Sequence, residues 1–146
     1  MTIEQAEQEF IQAFNSLEDW LMQYEYLLEL AGAAPAPAEE EKNEDTRLKG
    51  CQSNAWVVLG DDGARLHIAV DSDALIIRGI LGVFSLLLQD RTLEEGAAAR
   101  LTFLEATALR EQLSTDRFSA MSGVAGQIRS YCARRLAELG RPVPAE

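Results

Sequence analysis

The side chain with the most chemical potential in this sequence is the thiol of Cys51, in the segment RLKGCQSNAWVV (47–58). A structural cysteine normally lies among apolar residues, because its thiol behaves as a small hydrophobe. Cys51 instead follows Gly50 and precedes the polar run QSN (52–54). This composition is typical of a turn or of a reactive loop.

A cysteine attacks as the thiolate, and nearby cations and backbone N–H groups favour that anion. Arg47, Lys49 and the amides around Gly50 can supply both kinds of group. Gly50 also permits a positive φ angle and the close approach of a second molecule to the sulfur. The local sequence leaves two interpretations of Cys51 open, a turn residue tucked under a loop and a nucleophile.

The other candidate residues narrow the chemistry that one thiol can perform. Cys132 lies on the apolar stripe of a predicted helix, which predicts a structural role. The one histidine, His67, is the only possible partner of a Cys–His hydrolytic site, and strand alternation predicts that it lies on a polar surface. Without a C-x-x-C pair or a cluster of zinc ligands, no dithiol motif and no metal site are expected. A single cysteine that accepts a group and hands it on remains.

Composition excludes several classes of function. The chain of 146 residues carries a net charge of -11 and has no basic run, so nucleic-acid binding is not expected. Its most apolar stretch, 74–88, contains an arginine and two glycines and is shorter than the roughly 20 residues of a membrane span. The N-terminus is acidic and does not resemble a secretory signal. We therefore expect a cytoplasmic protein without a membrane partner.

Apolar spacing predicts helices in the N-terminal part of the chain. A first amphipathic helix is expected over 3–15, and Ser16 with Asp19 forms a candidate capping box for a second helix that ends near Gly32. Two prolines and a charge run then predict a surface loop without regular structure over 33–46.

The middle of the chain predicts a hairpin. The segment AWVVLG, the turn DDG and the alternating segment ARLHIAV follow one another over 55–70, and a short piece at 47–49 is expected to add a third strand. Helices capped by Ser72 and Thr92, and a last helix over about 117–139, precede a C-terminal tail at 140–146. The prediction is one α+β domain over 1–146, with a small antiparallel sheet of about three strands packed against several helices.

The motifs GCQSNAW (50–56) and DSDALIIRGI (71–80), separated by the hairpin, resemble the SufE family of sulfur-acceptor proteins. The likeness extends to DWLMQYEYLLELAG (19–32) and LSTDRFSAM (113–121), and so covers nearly the whole chain. It implies a fold of the SufE/IscU type.

The resemblance also implies a function. SufE-like proteins bind a cysteine desulfurase of the SufS type, take persulfide sulfur from it onto their own cysteine and stimulate it. They pass the sulfur on to iron–sulfur cluster assembly and its scaffold proteins. The pyridoxal phosphate belongs to the desulfurase, so no cofactor is expected in this chain.

The resemblance implies roles for individual residues of this sequence. Cys51 matches the sulfur acceptor, and Gly50, Gln52 and Ser53 match residues that shape its loop. The resemblance further assigns partner-binding or supporting positions to Asp73, Arg78 and Arg117. The segment STDRFSA departs from the usual Ser-Pro-Ser-Arg-x-x-Gly, which leaves the role of Arg117 open.

Three alternatives to this function stay open at the level of sequence. The first is a CsdE-like paralogue that serves another sulfur-transfer pathway. The second is a stand-alone thiol enzyme that uses Cys51 with His67. The third is a regulator that binds a desulfurase without accepting sulfur. For the acceptor, we expect the loop RLKGCQSN to swing Cys51 outward on docking, with Gly50 and the segment 33–46 as hinges.

Overall fold

The computed structural model describes residues 1–144, in which helices precede and follow a β-hairpin. The α+β class predicted from the sequence is confirmed. The helices are α1 (Ile3–Ser16), α2 (Trp20–Ala33), α3 (Leu75–Leu88), α4 (Leu93–Ala98), α5 (Phe103–Ala106), α6 (Leu109–Gln112) and α7 (Thr115–Glu138), and the strands are β1 (Ala55–Asp61) and β2 (Leu66–Ser72).

The two strands pair antiparallel, in a register that runs from Ala55 opposite Ser72 to Asp61 opposite Leu66. Alternate residues of β2 point into the core, and His67 points outward, as the sequence pattern predicts. The hairpin therefore has one apolar face against the helices, and its other face carries Trp56, Val58 and Ala69 beside His67 and Asp71.

The prediction of a third strand is wrong. Around Arg47 the chain makes only an isolated bridge to Trp56, flanked by two hydrogen bonds, from the Val57 amide to the Thr46 carbonyl at 3.0 Å and from the Leu48 amide to the Ala55 carbonyl at 2.8 Å. Pairing stops there because Gly50 takes a φ of 78°, which turns the chain away. Within residues 1–144 the sheet has two strands.

The outer edge of β2 is closed without a third strand. The Gln89 side chain accepts from the Ile68 amide and donates to the Ile68 carbonyl, each at 2.8 Å. The Val70 amide donates to the Pro35 carbonyl and the Leu66 amide to the Arg91 carbonyl. These bonds satisfy an edge that is otherwise open to pairing with another chain.

Two helix starts differ from the prediction. Ser16 is the last residue of α1 and donates to the Ala13 carbonyl, so the N-cap of α2 is Asp19, which accepts from the Met22 amide at 3.0 Å. Ser72 belongs to β2, and α3 begins three residues later. The predicted cap at Thr92 is confirmed, and the structure adds Glu95 as its partner in a capping box.

The segment 33–46 contains a short 3₁₀ turn at Glu39–Glu41 and is bound to the hairpin, in contrast to the expected irregular loop. We call residues 34–46 the strap. The Nζ atom of Lys42 lies 2.5 Å from an Asp71 carboxylate oxygen and 5.2 Å from the centre of the Trp56 ring. Together with the bond to the Pro35 carbonyl, these contacts fix the strap on the outer face of the sheet.

Cys132 is buried on α7, as predicted, and burial together with the nearby Asp61 carboxylate raises the pKa of its thiol to about 11. The thiol is therefore protonated and inert at neutral pH. The predicted C-terminal tail follows this helix, and its residues 140–144 have no helix or strand, whereas Ala145 and Glu146 lie outside the described residues. No helix within 1–144 is both long enough and apolar enough to cross a lipid bilayer.

Helices α2 and α3 pack in close contact through glycines. A Cβ atom added at Gly79 would lie 2.7 Å from the Leu27 Cβ, and one at Gly82 would lie 2.8 Å from the Leu30 carbonyl oxygen. In each helix the second contact lies three residues after the first. The two helices therefore run in the same direction.

We expect Gly79→Ala to destabilise the protein by about 2 kcal/mol, because the added methyl group overpacks the contact with Leu27. The matched control is Gly32→Ala in α2, where an added Cβ meets no atom within 4 Å. That substitution should stabilise by about 0.5 kcal/mol through helix propensity. Urea unfolding of both variants measures the two effects, and equal stability of the variants would contradict the packing described here.

An ion pair fastens the hairpin turn to α7. The Asp61 carboxylate accepts from Arg135 Nε at 2.8 Å and from the Tyr131 hydroxyl at 2.6 Å, and its side chain is 2% exposed. The hydrogen bonds from Arg135 and then Tyr131 hold the pKa of Asp61 well below its usual value. The carboxylate thus stabilises the fold above the usual pKa of 3.8, and that contribution is lost as the pH falls further.

Asp61→Asn should cost about 2 kcal/mol at neutral pH, because it weakens hydrogen bonds to a charged acceptor. Below about pH 3 the difference from the wild type should shrink, since the wild-type carboxylate is then losing its advantage. Urea unfolding at both pH values checks this. Asp90→Asn, at an exposed carboxylate 3.7 Å from His67, is the control and should change little. A pH-independent difference would rule out the linkage.

Candidate functional site

Cys51 lies in the short loop between the isolated bridge and β1, which we call the cysteine loop (residues 49–54). The bond between the Leu48 amide and the Ala55 carbonyl closes the base of this loop. Gly50 supplies the left-handed turn before the cysteine, and an added Cβ there would meet nothing within 4 Å. The Cys51 side chain is half-buried and packs against the core.

One end of the cysteine loop is held by a set of four hydrogen bonds, which we call the Asn54–Asp73 clamp. The Asn54 amide and side-chain Nδ2 each donate to the Asp73 carboxylate at 3.1 Å. The Asn54 carbonyl accepts from the Asp73 amide at 3.1 Å and from the Ser72 hydroxyl at 2.7 Å. The clamp fixes the point at which the loop joins β1.

A second contact reaches the loop from α7. Arg117 Nη2 donates to the hydroxyl of Ser53 at 2.5 Å, and Ser53 is only 9% exposed. The Ser114 hydroxyl caps the first turn of α7 and so places Arg117 there. The Nε atom of Arg117 is buried without a partner within the described residues. This arginine thus supports the loop next to the cysteine, through Ser53.

The cations that precede Cys51 in the sequence do not share one role. Lys49 is exposed, and its Nζ donates to the Glu44 carbonyl at 3.1 Å and lies 3.4 Å from the Glu44 carboxylate. It is therefore paired away from the sulfur. Arg47 lines a groove of about 480 Å³ between the loop and α7, together with Gly50, Asp116 and Gly123.

Arg78 lies beside the strap and makes no hydrogen bond to the cysteine loop among those described. Its Nε is 3.5 Å from the Asp71 carboxylate, which also binds Lys42. Burial alone would raise the pKa of Asp71, but the hydrogen bonds from Lys42 and the Ser72 amide outweigh it and lower that pKa. Gln52 is exposed in the loop.

His67 is far from the sulfur. It lies opposite Gly60, five residue pairs along the hairpin from Ala55, a separation of about 17 Å. Its side chain is 52% exposed, and its ring nitrogens lie 3.8 and 3.7 Å from the Asp62 and Asp90 carboxylates. The histidine therefore does not form a pair with Cys51.

Sequence reasoning missed Asn54, although it lies within the segment GCQSNAW. The DDG turn predicted at 61–63 gives no signal for it, because that turn would place residue 54 opposite residue 70. The observed connection of residues 62–65 sets residue 54 opposite residue 73 instead. Within residues 1–144, no three His, Cys, Asp or Glu side chains converge as metal ligands. The site is thus one thiol on a loop that is held on both sides.

Comparisons with known proteins agree with this architecture. The family model SufE, described as an Fe-S metabolism associated domain, matches residues 8–132. An uncharacterised SufE-like protein of Rhizobium etli is 29% identical over 134 residues, which is 88% of this chain and 90% of the relative.

A solved structure shows the same fold. The solution structure of a hypothetical protein from Thermus thermophilus superposes with a TM-score of 0.73 at 18% identity, over 89% of this chain and 95% of that one. Since the family model spans most of the sequence, including the cysteine loop and about three quarters of α7, this chain belongs to the SufE family.

Proposed function

We propose that this protein accepts sulfane sulfur on Cys51 from the persulfide of a pyridoxal-phosphate-dependent cysteine desulfurase of the SufS type. It stimulates that enzyme and passes the sulfur to the scaffold proteins of iron–sulfur cluster assembly. The observation that carries the proposal is a single half-buried thiol on a glycine-bearing loop, in a chain of the SufE family. The placement of His67 argues against a self-sufficient thiol enzyme.

The transfer step balances without an oxidant or a reductant. The Cys51 thiolate attacks the outer sulfur of the donor's Cys–S–S⁻ group and forms a new S–S bond. The bond between that sulfur and the donor cysteine breaks, and its electron pair leaves with the donor thiolate. The proton released by the Cys51 thiol is taken up by the donor thiolate. The net change is the transfer of one neutral sulfur atom from the donor cysteine to Cys51.

The surroundings of Cys51 suit a sulfur that must be stored between two partners. A half-buried position limits the access of water and stray thiols to a bound persulfide. Gly50 and the clamp lie at the two ends of a moving unit of a few residues. This unit can turn Cys51 outward on docking. The strap is held by Lys42, so we assign the hinge to Gly50 alone and not to the segment 33–46.

The supporting residues then take separate roles. Asp73 and Ser53 hold the resting loop, the latter through Arg117, and Gln52 is free to meet the partner. Arg78 supports the strap through Asp71. The pathway that receives the sulfur distinguishes a dedicated acceptor for cluster assembly from a CsdE-like paralogue, and a transfer assay with different recipients would separate them.

When the protein is mixed with a cysteine desulfurase and cysteine, mass spectrometry should find one extra sulfur atom on the peptide that contains Cys51. A thiol reductant should remove it, because the product is a persulfide. Cys51→Ser should abolish the modification, and Cys132→Ser should retain it, since Cys132 is buried and protonated.

The same assay tests the alternatives. His67→Asn should transfer sulfur at the wild-type rate, whereas a Cys–His enzyme would lose most of its activity. If Cys51→Ser still stimulated the desulfurase fully, the protein would be a regulator and not an acceptor. An unmodified wild-type Cys51 beside an active desulfurase would refute the proposal.

Loop motion can be followed by hydrogen exchange. Addition of the desulfurase should speed amide exchange within 50–53 and leave β1 unchanged, and unchanged protection of the loop would contradict the swing. In the free protein, Ser53→Ala should speed exchange of these amides about fivefold, because it removes the hydrogen bond to Arg117. Ser130→Ala, at an exposed position further along α7, is the control and should leave the loop unchanged.

A further inference from the structure

Three large apolar side chains are exposed in the first turns of α2 and α3. Leu21 is 66% exposed, Met22 43% and Leu75 51%, and we call them the apolar rim. Large apolar groups that cluster in water mark interaction sites more often than scattered ones do.

The apolar rim lies at the cysteine end of the molecule. Because Gly79 faces Leu27 and Gly82 faces Leu30, α2 and α3 run in the same direction and begin at the same end. Leu75 follows two residues after Asp73, whose carboxylate is bound to Asn54 of the cysteine loop. The packing of the helices therefore brings the rim to the side of the molecule that carries Cys51.

Acidic side chains outnumber basic ones only in the N-terminal part of the chain, which includes α2. Residues 1–45 hold twelve acidic side chains and one basic one, Lys42, whereas residues 46–146 hold twelve of each. The whole net charge of -11 thus comes from the first 45 residues. The exposed acids next to the rim in the sequence are Glu18, Asp19, Glu25 and Asp73. The nearby cations Lys42 and Arg78 are both paired with Asp71.

We propose that the apolar rim is a docking surface for the sulfur-donor protein, whose contact face has an apolar centre bordered by Lys and Arg side chains. The inference rests on the proposed function, because sulfur transfer requires direct contact of two sulfur atoms. A donor that reaches Cys51 must cover the surface around the loop, and the rim is the apolar part of that surface. The acidic border adds attraction to a basic partner.

The same charges disfavour two other occupants. A second copy of this chain would bring one acidic border against another, which costs free energy. An anionic lipid surface would repel the border for the same reason. A basic protein is the occupant that gains from both parts of the surface.

Helix α3 offers a matched control. Leu86 is 51% exposed, as is Leu75, and eleven residues of α-helix set it about 16 Å along the axis on nearly the same face, about 20° away. It therefore reproduces the chemistry and exposure of Leu75 at the opposite end of the helix. A substitution at each position separates docking at the cysteine end from a general loss of apolar surface.

The experiment measures the rate of persulfide formation on Cys51 against desulfurase concentration for the wild type, Leu21→Ser/Leu75→Ser and Leu86→Ser. The double variant should raise the half-saturating concentration about tenfold with an unchanged plateau rate, as expected for the loss of two docking side chains. Leu86→Ser should match the wild type. Higher salt should weaken wild-type docking, because the acidic border is screened.

Inorganic polysulfide is the probe for intact chemistry, and it should modify Cys51 equally in all three proteins. Equal half-saturation in the wild type and the double variant would overturn the docking surface, as would a wild-type dimer that the double variant abolishes. A wild-type Cys51 that takes sulfur from polysulfide but not from the desulfurase would instead refute the proposed function. Equal melting temperatures of the variants verify that each is folded.

Discussion

The cysteine loop depends on the Asn54–Asp73 clamp at the open end of the hairpin. Four hydrogen bonds join the residue before β1 to the residues that end β2 and precede α3. Because α3 is the most deeply buried helix, the loop is tied through the clamp to the core of the molecule. A cysteine on a loop can thus be held half-buried although its own neighbours are polar.

An isolated two-stranded hairpin is marginally stable, so the base of the loop needs support from other elements. Gln89 and the Pro35 carbonyl close the outer edge of β2, and the pair of Asp61 with Arg135 fixes the turn to α7. The strap covers the outer face. These contacts come from three different parts of the chain, and together they make the hairpin a frame for the short cysteine loop.

The sequence predicts the features of this structure that depend on local pattern. The hairpin, the last helix and the burial of Cys132 follow from alternation and from helical spacing, and Cys51 is marked by its polar neighbours. The third strand fails because Gly50 adopts a positive φ, which the sequence permits but does not require. Ser16 and Asp19 are both good N-caps, and only the actual length of α1 decides between them.

Contacts between distant segments lie beyond such patterns. Ser53 and Arg117 are 64 residues apart, and their bond depends on how α7 packs across the sheet. In the sequence, Lys42 is a single cation within an acidic run. Its contacts with Asp71 and Trp56 depend on the folding of the strap onto the hairpin, which the sequence pattern does not predict. The resemblance to SufE names Arg117 and Arg78 but does not state that one supports the loop and the other the strap.

The small size of the unit proposed to move has an energetic consequence for the proposed sulfur transfer. Each residue that is ordered or released on docking carries about 1–2 kcal/mol of backbone entropy. With the strap fixed by Lys42 and β1 fixed by the clamp, only the residues between Gly50 and Asn54 need to change conformation. A loop of this length can expose Cys51 to a donor and cover it again at a cost that a modest docking surface offsets. Such a surface would also let the partner leave, which the proposed function requires of a carrier with two successive partners.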